Sequence, residues 1–185
     1  MTPSPDSPAS ALSERTGPNR LEGLWATHSE KVYRAAYRVT GNAADAEDAV
    51  QTVFLRLARL PEGKLREDAG GFLHRSAVNA GLDILRSRQR AGWVPLERVE
   101  VVASSSLGNP ERDRSTRELR RHLRLALSRL SPRAAEMFAL RYFEGLGNGE
   151  IADLLDVSPG VVAVLLHRTR ARLRKELKAL EGEVS

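Results

Sequence analysis

The chain has 185 residues, 29 Lys+Arg against 24 Asp+Glu, a net charge of +5, 41% apolar and 5% aromatic residues, and no cysteine. That length allows one medium domain or two small ones, and so few aromatics favour small helical units over a β-sandwich. The lack of cysteine excludes disulfides, thiolate chemistry and Cys-based zinc sites, and no apolar run approaches the ~20 residues that would span a bilayer.

The first stretch, residues 1–19, is rich in Pro and Ser, with neither a basic start nor an apolar core. It is expected to be a disordered tail and not a secretion signal, which together with the absence of cysteine points to the cytoplasm. Helical periodicity then takes over. Leu21, Leu24, Trp25, Val32, Ala35, Ala36 and Val39 mark a first helix over roughly 20–40, ended by Gly41. Asn42 is placed to cap a second helix with Asp45 at its third position, and Pro61 stops it. Its apolar stripe is Ala46, Val50, Val53, Phe54 and Leu57. Asp68 caps a third helix over about 69–90, whose apolar set is Phe72, Leu73, Ala77, Ala80, Ile84 and Leu85.

Residues 93–115 change character: Trp93-Val94-Pro95 leaves the helix, and ASSSLGNPERD is small, polar and turn-prone. Structureless loops that long are uncommon inside a compact domain, so the segment reads as a linker. Helices resume at about 116–130 with Leu119, Leu123, Leu127 and Leu130. Ser131-Pro132 and Ser158-Pro159 each place a capping Ser before a Pro at the first helical position. Between them, Gly145, Gly147 and Gly149 break the chain, a short helix covers 150–155, and Asp156-Val157 turns. The fold class expected is all-α, two small helical domains joined by a flexible linker, the C-terminal one (116–182) a helix-turn-helix and the N-terminal one covering 20–92.

Three faces carry chemistry. The second helix holds Asp45, Glu47 and Asp48 in its first turns, which taken alone are acids favoured by the helix dipole. The third helix carries Arg75, Asn79, Asp83, Arg86 and Arg90 at steps of four, four, three and four, hence on one face. That face is either simply solvated, or a nucleic-acid surface on which Asn79 bonds a base edge and the arginines hold phosphates. In residues 168–178 of the last helix, Arg168, Arg170, Arg172, Arg174, Lys175 and Lys178 stand against Glu176 alone, a local excess equal to that of the whole chain. A helix-turn-helix followed by such a row points to DNA more than to a plain helical hairpin. His28, His74, His122 and His167 are scattered, without metal-site spacing, so neither metal nor cofactor is expected.

DAEDAVQTVFLR, FLHRSAVNAGLDILRSR and LSPRAAEMFALRYFEGLGNGEIADLLDVSPGVVAVLLHRTRARLR, in that order and spacing, resemble the extracytoplasmic-function (ECF) sigma factors, which have a region 2 domain and a region 4 domain joined by a linker. The resemblance covers about 20–92 and 115–178. It implies a non-enzymatic protein that recruits core RNA polymerase to promoters and helps open the −10 region. On this pattern Asp45, Glu47, Asp48, Gln51 and Arg56 dock on the clamp helices of the polymerase β′ subunit. Arg75, Asn79, Asp83, Arg86 and Arg90 lie at the −10 element, where a flipped base offsets the few kcal/mol of its extraction. The linker threads toward the active-site cleft. Region 4, leaning on the β flap, meets the −35 element or a protein partner with Ser158, Val161, Ala163, Val164, His167, Arg168, Arg170 and Arg172.

The chain departs from the family pattern with Phe72 in place of Trp, Ser76 in place of an apolar residue, and Gly147 and Gly149 before the short helix. The largest departure opens the last helix, where the common Thr, Lys, Ser and Arg are replaced by Val161, Ala163, Val164 and Leu165. At ~100° per residue, Val162, Leu166, Leu173 and Leu177 share one buried stripe and Leu165 borders it. Val164 points about 160° away from that stripe, with Ala163 and Val161 about 100° to its sides. Aliphatic groups touch a thymine methyl but read no donors or acceptors. Expected, then, is reduced base-specific readout at −35, with three outcomes open: readout carried by the −10 contacts, a protein partner such as an anti-sigma factor or recruiting protein on the apolar face, or docking through phosphates and shape. Two rival functions stay in view, a stand-alone helix-turn-helix regulator and a degenerate sigma factor acting through a partner.

Overall fold

A computed structural model describes residues 18–61, 68–92 and 110–182. Helices α1 (Pro18–Thr40), α2 (Ala43–Ala58), α3 (Ala69–Arg90), α4 (Pro110–Ser128), α5 (Pro132–Tyr142), α6 (Asn148–Leu155) and α7 (Pro159–Gly182) follow in order. There is no β-strand among the described residues, so the fold is all-α. Nearly all of the expected N-terminal tail, and 93–109 of the expected linker, lie outside the described residues; 110–115 is already the start of α4.

The helix limits follow from local chemistry. Gly41, at φ +67°, ends α1 in the left-handed conformation and its N–H donates to Tyr37 O at 2.7 Å. The Asn42 side chain accepts from Asp45 N at 3.0 Å to start α2, and Asp68 accepts from Gly71 N at 2.8 Å to start α3. Pro132 opens α5 after Ser131, whose side chain makes no capping bond there. At α6 the Glu150 carboxylate accepts from Gly147 N at 2.6 Å, so the helix begins at Asn148, two residues earlier than expected, with Gly149 inside it. Asp156 (φ 54°) closes α6 and Val157 N donates to Ala152 O at 3.0 Å, which makes the tight turn into α7.

α1, α2 and α3 pack around Val32, Ala36, Val39, Ala46, Val53, Leu57, Leu73, Ala77 and Leu82, all buried. Gly81 lets α3 approach α1 closely: a Cβ there would lie 3.1 Å from Val39 Cβ. The C-terminal helices close over Leu127, Met137, Leu140, Ile151 and Val162. α5 is buried at every position from Ala134 to Leu140, which requires neighbours on all sides. One of those neighbours is α3, against which both α4 and α5 pack. The two halves therefore share one apolar core, with α3 as the common wall. Leu119 and Trp25, both counted in the apolar spacing that marks their helices, are 50% and 46% exposed. Leu119 sits in the polar first part of α4, and Trp25 lays its ring edge-on to Phe54 at a centroid distance of 4.6 Å while one side meets solvent.

Two glycine replacements should separate packing from propensity. Gly81→Val should destabilise the chain by about 1–3 kcal/mol by forcing α1 from α3. Gly23→Ala, mid-helix with nothing within 4 Å of the new Cβ, should stabilise it by about 0.5–1 kcal/mol. Urea unfolding monitored by circular dichroism measures both.

Candidate nucleic-acid interface

The polar face of α3 is divided by what covers it. Toward its N-terminal end, Arg75 Nε and Asn79 Nδ2 both donate to one oxygen, Oε1 of Glu136 on α5, each at 2.7 Å. Glu136 has a side chain only 6% exposed, and Arg133 stands 3.9 Å from its other oxygen. One residue before Arg75, His74 Nε2 lies 2.7 Å from Glu144 Oε2, which also accepts from Arg38 Nη1 at 2.7 Å. Toward the C-terminal end, Arg86 donates to Asp83 at 3.1 Å. Asp83 and Arg90 are exposed, and Arg86 is half-buried, its Nη2 without a hydrogen-bond partner. The five residues thus share a face, but Arg75 and Asn79 are engaged by the C-terminal half while Asp83 and Arg90 face solvent.

The acid helix needs one correction. Asp45 is 3% exposed and forms a buried ion pair with Arg88 of α3, so it is not part of an outward face. Burial raises the Asp45 carboxyl above its ordinary range, against the pull of Arg88, and Asp48 adds to the rise. Its role here is to tie α2 to α3, and a buried carboxylate left without its cation costs several kcal/mol. Glu47, Asp48, Gln51 and Arg56 are all exposed, as is Leu55 at 57%.

In the helix-turn-helix, α6 buries Ile151, Ala152 and Leu155 against α7, and Arg133 Nη2 donates to Leu155 O at 3.0 Å, satisfying a carbonyl at the end of α6. On α7, Val162, Leu166 and Leu173 are buried and Leu165 is half-buried, whereas Val161 and Val164 are 50% and 52% exposed and Ala163 is exposed beside them. The helical geometry read from the sequence is therefore met as far as Leu173, while Leu177, near the end of the helix, is only half-buried. Ser158 Oγ accepts from Val161 N at 3.4 Å as a cap. His167, Arg168 and Arg170 are exposed. Arg172 is exposed too, but it donates to Arg129 O at 3.2 Å and stands 3.6 Å from Glu176, so it also braces α7 against the end of α4.

Sequence reasoning missed Glu136, Glu144, His74, Arg38 and Thr169. Thr169 is buried and donates back to Leu165 O at 2.7 Å, which is why the arginine row is interrupted there. For Glu136 a signal existed: it is the one acid in the apolar run Ala134 to Leu140, and a charge in such a run needs a partner from elsewhere. Glu144 carries a measurable signature. Burial pushes its carboxyl up, but the hydrogen bond and charge of His74 and the charge of Arg38 outweigh this and hold it below the ordinary glutamate value. A lowered carboxyl contributes stability above its unfolded pKa and loses it as pH falls through the folded one. The stability difference between wild type and Glu144→Gln should therefore be full at neutral pH and shrink below about pH 4. Asp45, whose shift has the opposite sign, is common to both proteins and cancels; urea midpoints taken across that range check the outcome.

These faces lie within two family matches: residues 24–91 match Sigma-70 region 2 and residues 120–173 match Sigma-70, region 4. Among relatives, the chain is 32% identical over 189 residues to the ECF RNA polymerase sigma factor SigE of Mycolicibacterium smegmatis, covering 100% of this chain and 74% of the relative. It is 34% identical over 169 residues to the RNA polymerase sigma factor CarQ of Myxococcus xanthus, covering 89% and 93%. With SigW of Bacillus subtilis, also an ECF RNA polymerase sigma factor, the identity is 26% over 163 residues, covering 83% and 86%. With both regions matched in order around α3 and the helix-turn-helix, the chain belongs to the ECF RNA polymerase sigma factors and acts in transcription initiation.

Proposed function

We propose that the N-terminal half (20–92) and the C-terminal half (116–182) act as region 2 and region 4 domains, and that this sigma factor divides its task unevenly between them. Binding of core RNA polymerase and of promoter DNA belongs to sigma factors in general; the residues are this chain's own. Glu47, Asp48, Gln51 and Arg56, exposed on α2, dock on the clamp helices of β′. The α3 face of Arg75, Asn79, Asp83, Arg86 and Arg90 takes the −10 element and helps open it, with Asn79 bonding a base edge and the arginines neutralising phosphates. No acid–base or metal chemistry is assigned, and the site of action is the cytoplasm, with polymerase and DNA.

At −35 the reading rests on one observation, the outward face of α7. It is aliphatic at Val161, Ala163 and Val164 and becomes basic only from Arg168 onward. Such a helix can sit on phosphates beside the major groove, yet has few groups to match base donors and acceptors. Base choice then falls mostly to α3. A second reading is favoured by the exposure of Val161 and Val164: the same patch takes an anti-sigma factor or recruiting protein, with region 4 seated on the β flap.

Pull-down with core polymerase followed by run-off transcription tests the assignment. Glu47→Lys with Asp48→Lys should weaken polymerase capture by about tenfold or more while helix content is retained, in line with like-charge placement at a binding face. Changing Ala163 to Lys and Leu165 to Arg should strengthen binding to a −35 duplex; a wild type that already binds one −35 sequence tightly, and only loses by the change, would defeat the reduced-readout reading.

A further inference from the structure

The outward face of α7 is low as well as apolar. At ~100° per residue, Gly160, Val164 and Ala171 lie within about 20° of the line opposite buried Val162, and all three are exposed. Val161 and Ala163 flank that line and are exposed too. Packing does not ask for the glycine. Among the described residues, and beyond its chain neighbours, a Cβ at Gly160 would touch only Ser158 Oγ, at 3.9 Å. Short side chains let a helix backbone come close to what it meets. The charges stand on both sides of this strip. Arg168 falls about 60° to one side of the outward line, and Arg170 and Arg174 fall about 100° and 60° to the other; all three are exposed. A major groove ~12 Å wide has a phosphate strand along each wall and holds a helix of ~10–12 Å diameter. Cations on two flanks with a shallow apolar strip between them fit that groove. An apolar protein surface offers no two rows of anions to match them.

A recognition helix enters the groove with its N-terminal residues on the base edges. In α7 those turns offer few donors or acceptors. Ser158 Oγ caps Val161 N at 3.4 Å, and His167, the next polar side chain on the outward side, comes almost a turn after Val164. Thymine alone among the four bases presents a methyl group in the major groove, and an aliphatic side chain gains from covering it. We propose that α7 reads methyl groups: Val161, Ala163 and Val164 contact the C5-methyl of thymines in the −35 element, so the preference left there is for a 5-methylpyrimidine, without distinction between thymine and 5-methylcytosine. This rests on reading α7 as the −35 helix. It follows that a cytosine methylated at C5 serves as a −35 base where plain cytosine does not.

The test uses holoenzyme, formed from the full chain and core polymerase, and a promoter duplex taken from a start site that it directs. Deoxyuridine in place of a −35 thymine removes the methyl alone. It should lower affinity about fourfold at one or more positions, the worth of one buried carbon group. Cytosine at such a position should lose about as much as deoxyuridine, and 5-methylcytosine should restore binding to within about twofold. 7-Deazaadenine, which lacks the N7 acceptor, should leave affinity within about twofold of adenine. Val161→Ser with Val164→Ser changes exposed positions and leaves Val162 and Leu166 in place. It should make thymine and deoxyuridine equivalent, with helix content unchanged. If scrambling −35 alters affinity but deoxyuridine never does, methyl reading is overturned while α7 keeps the −35 element. If the deoxyuridine loss persists in the serine variant, these residues are not its readers and the assignment is overturned. A deoxyuridine loss that 5-methylcytosine does not repair shows a donor or acceptor being read as well, and overturns the lack of distinction. If scrambling −35 changes nothing, the −35 reading itself fails and the proposal with it, and the face is left to a protein partner.

Discussion

A carboxylate taken out of water must be paired, and this requirement at Glu136 organises the relation between the two halves. α5 is too enclosed for its one acid to reach solvent, so Glu136 meets Arg75 and Asn79 of α3. That pairing sets how α5 lies on α3. The Glu144 contacts with Arg38 and His74 repeat the arrangement just past the end of α5. The same constraint acts inside the N-terminal half, where buried Asp45 pairs with Arg88 and ties α2 to α3. α3 is thus the shared partner of both charged seams as well as of the apolar core on either side.

Much of this was legible in the sequence. Asn42, Asp68, Gly41 and Ser158 mark helix limits because capping is a local matter of a few bonds, and Pro132 marks one because its fixed φ suits a first helical position. The division of α7 into buried Val162 and Leu166 and exposed Val161, Ala163 and Val164 follows from the turn of a helix alone. What could not be read was long-range. Asp45 looks like a cap-adjacent acid, and only the arrival of Arg88 from α3 makes it internal. Glu136 is conspicuous in an apolar run, but its partners lie 57 and 61 residues away. The first turns of α4 escaped for a different reason. PERDRSTREL has almost no apolar spacing, so a periodicity argument finds nothing to count before Leu119.

The departures from the common family pattern gather on α7, not in the cores. Phe72 and Ser76 on α3 are half-buried, as their positions beside the core require. Val161, Ala163 and Val164 serve no packing purpose, since α7 is already held by Val162, Leu166 and Leu173. Residues with no part in packing keep or change their identity for what they meet outside the chain, which is why the assignment of function concentrates on them.

Arg172 adds a last consequence. Its guanidinium is spent on Arg129 O and Glu176, so it acts as a strut between the ends of α4 and α7. Counting arginines along the helix therefore overstates how many counterions region 4 would displace from a duplex. The dependence of its binding on ionic strength should be shallower than the run Arg168, Arg170, Arg172, Arg174 suggests, because one of those charges is already part of the frame.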